Sequence, residues 1–129
     1  MSDVVIDPKR KSKSDTRTVT EVFEDHLAKR LAGETGADIA ENYANSVVIL
    51  TGTGALLGHE GARQSAAELS RLVGDAVFTY RHTLVQDRYA FLEWTAKGDG
   101  VEVPDGADSF VIADGKIVFQ SIHYTVKRR

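Results

Sequence analysis

Asp108, His123 and His26 are the side chains of this 129-residue chain best suited to moving protons. Asp108 stands two residues before Phe110 in an alternating run, so its carboxylate shares a strand face with an aromatic ring. Keeping such a group ionised is costly. Burial raises its pKa, making it a hydrogen-bond donor or a general acid/base near neutral pH. His26 falls three residues after Phe23 and four after Val22, inside the apolar stripe of a helix. His123 lies in the last strand run. An aspartate beside an imidazole orients the ring and adjusts its basicity, as proton abstraction and water activation require. Each residue also has a structural reading: Asp108 as a strand-end cap or the mate of a structural partner, each histidine as a satisfied core group. The same three could make a facial metal triad. No His-x-x-x-His spacing supports one, and neither metal nor cofactor is expected.

Composition narrows the alternatives. The absence of cysteine excludes disulfides, thiolate metal sites and a cysteine nucleophile. A net charge of -3 gives no general attraction to nucleic acid or to an anionic membrane. No apolar run approaches a membrane span or a secretory signal, so a cytoplasmic protein is expected. There is no phosphate-binding glycine loop and no Gly-x-Ser-x-Gly elbow. Residues 1–15 read as a solvated arm, despite the cluster Lys9, Arg10, Lys11 and Lys13, and residues 16–129 as one domain.

The positioning elements begin with a helix. Thr18 and Glu21 form a capping box, Val19, Val22, Phe23, Leu27 and Leu31 follow at helical spacing, and Gly33 stops it. A short second helix is expected from Asp38 to about Tyr43. Val47 to Thr51 reads as a strand, Gly52 to Gly54 as a turn, and Gly58-His-Glu-Gly61 leads into a third helix ending at Gly74. Ala76 to Val85 alternates with Phe78, Tyr80, His82 and Leu84 on one face. Tyr89 to Lys97 follows, with Leu92 and Trp94 on one face and Glu93 on the other. Trp94 reads as a cavity wall or a dimer contact, and His59 as an exposed turn residue. Gly98 to Gly106 reads as a long loop into which Val101-Glu-Val103 extends a strand.

Asp114-Gly115 between two alternating runs predicts a two-residue type I′ hairpin. That turn sets Ile112 against Ile117, Phe110 against Phe119 and Asp108 against Ser121, with His123 diagonal to Asp108 on the same face. Phe110 and Phe119 then wall the site. The other face carries Val111, Val118, Ile122 and Tyr124, apolar enough to predict a homodimer packed through the sheet. A one-residue slip would undo this arrangement.

Three helices followed by a strand meander make an α+β architecture. Gly36 to Ala44 (Gly-Ala-Asp-Ile-Ala-Glu-Asn-Tyr-Ala), then a strand, then Gly58-His-Glu60 opening a helix, then Asp108 to Ile117, together resemble the SnoaL-like, nuclear transport factor 2-like group. That group includes ketosteroid isomerase, scytalone dehydratase, limonene epoxide hydrolase and polyketide cyclases. The resemblance spans about Thr18 to Val126. It implies three helices on a strongly curved, mainly antiparallel sheet around a cone-shaped pocket, often in dimers. By resemblance Asp108 matches the protonated aspartic acid of the isomerase oxyanion hole, and Tyr43 a tyrosine common at the end of the second helix. Thr51 stands where the isomerase has its proton-shuttling aspartate, so it is a substrate contact at most and that mechanism does not carry over. A histidine-based mechanism, as in the dehydratases, stays compatible. The Asp–Arg–Asp arrangement of the epoxide hydrolase is not evident, because Arg63, Arg71, Arg81 and Arg88 read as surface residues.

Two functions fit this reading. One is a cofactor-independent enzyme doing proton-transfer chemistry on a hydrophobic, oxygenated small molecule. The other is a domain of the same fold that binds a ligand or a protein and catalyses nothing.

Overall fold

The computed structural model describes residues 17–129, so the expected arm lies outside the described residues. Three helices precede or interrupt the sheet: α1 (Val19–Leu31), α2 (Thr35–Asn42) and α3 (Gly58–Val73). The strands are β1 (Tyr43–Thr51), β2 (Gly54–Leu57), β3 (Val77–Gln86), β4 (Tyr89–Gly98), β5 (Val101–Ala113), β6 (Lys116–His123) and β7 (Lys127–Arg128). The sheet order is β2-β1-β6-β5-β4-β3, with β7 added beside the start of β5. Among the described residues only the β1–β6 pairing is parallel; the other strand pairs are antiparallel. This is the expected α+β class: helices on one face of a mixed, mostly antiparallel sheet that curls without closing.

α1 forms as the sequence predicts. Thr18 Oγ1 accepts from the Glu21 backbone and Glu21 returns a bond to the Thr18 N–H, satisfying two free donors of the first turn. The helix buries Val22, Phe23 and His26 against the sheet. Phe23 meets Phe110 edge to face with centroids 5.2 Å apart, which fixes α1 across β5. α2 starts earlier than expected. Asp38 lies inside it, wholly buried, rather than capping it.

Register irregularities bend the sheet, and two of them overturn sequence expectations. The hairpin turn has the positive φ values of a type I′ turn, 53° at Asp114 and 74° at Gly115. Ile112 pairs with Ile117 as predicted. The next pair is Val111 with Phe119, so Val118 is an extra residue and everything beyond slips by one. Phe110 therefore pairs with Gln120, not Phe119, and Asp108 with Ile122, not Ser121. A slip of one residue exchanges the two faces of a strand. In β3 a bulge between Tyr80 and His82 likewise leaves Phe78 and Tyr80 on the helix side and turns His82 outward, opposite Glu93.

The expected loop from Gly98 to Gly106 is strand. β5 runs unbroken from Val101, and only Asp99 and Gly100 turn the chain. Pro104 is tolerated because it sits at the irregularity between the Trp94–Gly106 and Ala96–Val103 pairs, where it need not supply a ladder N–H. His59 is not in an exposed turn. It begins α3, and its Nε2 lies 2.8 Å from the Tyr43 carbonyl oxygen.

Candidate functional site

A cavity of about 720 Å³ lies between the helices and the inner face of the sheet. Leu92 and Trp94 of β4, Asp108 of β5, Gln120 and Ile122 of β6, and the α1 residues His26 and Arg30 all border it. Leu69 and Val73 bring α3 to it. Apolar walls with a few converging polar groups are the usual makeup of a small-molecule site.

Asp108 is the polar centre of the sheet wall and only 8% exposed. Its Oδ1 accepts from the Trp94 indole N–H at 3.0 Å and its Oδ2 from Gln120 Nε2 at 2.9 Å. Burial pushes its pKa above the ordinary carboxylate value, and the two donated hydrogen bonds offset only part of that. Gly106 makes the Trp94 bond possible. It pairs directly with Trp94, and a β-carbon there would lie 2.2 Å from the indole ring.

A second polar group is built on the helices. His26 and Arg30, four residues apart on one face of α1, converge on one oxygen of Asp38. His26 Nδ1 lies 2.8 Å and Arg30 Nε 2.6 Å from Asp38 Oδ2. Asn42 donates to the other oxygen at 2.8 Å. Burial alone would raise the Asp38 pKa, but His26, Arg30 and Asn42 outweigh it and hold the group below its ordinary value. An ionised carboxylate only accepts, so the proton of this contact sits on His26 Nδ1. His26 Nε2 has no hydrogen-bond partner among the described residues, although the side chain is only 4% exposed and borders the cavity. The ring is held edge-on between Tyr43 (5.7 Å) and Phe110 (5.2 Å).

The two groups are joined. Arg30 Nη2 donates to the Tyr43 hydroxyl at 3.2 Å, Tyr43 donates to Gln120 Oε1 at 2.6 Å, and Gln120 donates to Asp108. Each member donates to the next, so the chain is fully paired and the Gln120 amide has one orientation.

A profile of the SnoaL-like domain matches residues 21–120. The chain belongs to the SnoaL-like domain family. Among solved structures, this SnoaL-like chain is similar to a candidate SnoaL-like polyketide cyclase from Mesorhizobium loti, at 16% identity and a TM-score of 0.66 over 84% of this chain and all of that one. An NTF-2-like protein of unknown function from Burkholderia xenovorans is similar at 16% identity and a TM-score of 0.67, over 83% and 82% of the two chains. TerC, co-crystallised with polyporic acid, is similar at 17% identity and a TM-score of 0.66, over 83% and 91%. At these identities the likeness concerns the fold. No curated protein matches the chain in sequence.

The residues expected from the sequence separate into two sets. Asp108, His26, Trp94 and Thr51 border the cavity, Thr51 through a stretch with Gly52 and Thr53. His123 does not join Asp108. It pairs with Ala107, on the opposite face, and its exposed imidazole lies 3.4 Å from Asp105. It reaches the cavity only at the rim, and this separation also removes the Asp108–His123–His26 metal triad. Among the described residues no cluster of three or more acidic or histidine side chains is placed to hold a metal. Tyr43 and Phe110 are core residues behind the cavity, and Phe119 lies on the outer face beside Val111. Ile122 and Tyr124, expected outside, border the cavity, and Tyr124 packs 5.8 Å from Trp94. No helix among the described residues is long and apolar enough to cross a membrane.

Asp38, Arg30 and Gln120 were not expected at the site. Arg30 had a signal: it follows His26 by four residues and so continues the Val19–Phe23–His26 stripe. Gln120 had none, because the Val118 bulge alone brings it inward.

Proposed function

We propose that the cavity holds a hydrophobic, oxygenated small molecule, and that Asp108 and His26 move a proton on it without a cofactor. The observation that carries this reading is Asp108 itself: a buried acid bordering an apolar cavity, held by Trp94 and Gln120. Its raised pKa favours the protonated form more than in an ordinary carboxyl, for donation to a carbonyl or leaving oxygen. His26 supplies the complementary group. With Nδ1–H donated to Asp38, Nε2 is the ring nitrogen left to exchange a proton with a bound molecule. An acid and a base held in different surroundings suit isomerisation, dehydration or ring closure. Similarity in fold to a candidate polyketide cyclase is compatible with this chemistry.

The chain has one tryptophan and it borders the cavity, so its fluorescence reports occupancy. Titration with 2-tetralone, an apolar ketone, is expected to change Trp94 emission saturably. A linear, non-saturating response would remove the ligand reading. We also propose a homodimer through the outer sheet face, where Leu84 and Tyr89 are more than half exposed beside Val111 and Phe119.

A further inference from the structure

Arg30 has more donors than its partners use. Its Nε bonds Asp38 and one Nη2 hydrogen goes to Tyr43, while Nη1 has no acceptor among the described residues. A guanidinium and a carboxylate usually pair through two parallel bonds. Here they do not, because Asn42 occupies the second Asp38 oxygen and His26 shares the first. Nη1 and the second Nη2 hydrogen are therefore left over as the free fork of a residue that borders the cavity and whose side chain is 23% exposed.

The charges around it favour an anion. Asp38 is fully buried behind Arg30 and does not border the cavity, and three donors surround it. Glu68, which does border the cavity, is paired with Arg71 at 2.7 Å. A second anion meeting the Arg30 fork would find its geometry matched, and the cavity's other carboxyl, Asp108, is already held by the Trp94 and Gln120 donors.

Resting on the proposal that the cavity binds a small molecule, we infer that the Arg30 fork is a subsite for an anionic oxygen of that molecule, so that the ligand class is an apolar body carrying a carboxylate or comparably acidic group. Asp38 and Tyr43 are then positioning residues that hold the fork. The apolar body fills the space toward Leu92, Trp94 and Ile122.

The test is a matched pair of probes, 2-naphthoate and 2-naphthamide, measured by calorimetry at neutral pH. The wild-type chain is expected to bind the naphthoate about tenfold more tightly or better, as a charge-assisted fork contact implies. Arg30→Gln is expected to erase that preference while keeping the amide's affinity. If Arg30→Gln fails to fold, Arg30→Lys keeps the charge without the fork and is expected to lose most of the preference. Equal wild-type affinities, or a preference that survives in a folded variant, would overturn the subsite. If neither probe binds, the ligand-cavity reading fails with it; if both bind equally, only the subsite does.

Discussion

Gly106 lies directly across from Trp94, and a β-carbon at Gly106 would fall 2.2 Å from the indole ring. The ring therefore lies flat against bare backbone, and that position aims its N–H at Asp108. Gly106→Ala must displace the ring. It is expected to cost about 1–3 kcal/mol and to separate Trp94 from Asp108. Melting temperature reports the first effect and a shifted Trp94 emission maximum the second. An unchanged spectrum would show that the ring does not depend on the gap.

Asp38 is the keystone of the helix-side group. Its folded pKa lies below its ordinary value of 3.8, so its contribution is present above that value and is lost as pH falls through the folded pKa. Asp38→Asn leaves Arg30 without its counter-charge and is expected to destabilise by roughly 3 kcal/mol at neutral pH. Below the folded pKa the two proteins should converge in stability. Urea unfolding across pH checks both points.

Asp108 has the opposite sign. Its folded pKa is raised, so its contribution is fully present below 3.8 and lost as pH rises through the folded value. Asp108→Asn removes that loss but sets an NH2 group against the Trp94 or Gln120 donor, which costs about 1–3 kcal/mol. The variant is therefore expected to be less stable than the parent at low pH, with the deficit shrinking as pH rises through the parent's folded pKa, measured by urea unfolding. A deficit that does not change with pH would show that burial does not raise the Asp108 pKa.

The sequence made α1, the hairpin turn and the β-rich second half legible, because caps, turn residues and alternation are local signals. The inward placement of His26 and Asp108 was legible for the same reason: each is a polar residue on an apolar face. His123 and Phe119 were misplaced because both lie beyond Val118, and an extra residue in a strand leaves no mark in an alternating apolar run. Pro104 shows the same limit. The irregularity that admits Pro104 to β5 depends on the partner strand, so the segment reads as a loop. Asp38 meets His26 and Arg30 only through the packing of α1 on α2.

The dimer is tested on the corrected face. Leu84→Glu combined with Tyr89→Glu places charge on exposed apolar positions of β3 and β4 without touching the cavity. Sedimentation at micromolar concentration is expected to show a wild-type dimer and a folded monomeric variant. A wild-type monomer would contradict the proposal.

Proton transfer is tested most directly by deuterium exchange at the acidic carbon of bound 2-tetralone, followed by proton NMR in heavy water. The wild-type chain is expected to accelerate exchange above the buffer rate. Asp108→Asn and His26→Gln, still binding the ketone, are each expected to lose roughly 100-fold or more of that acceleration. Saturable binding with exchange at the buffer rate would contradict the account and leave a cavity that binds without catalysing.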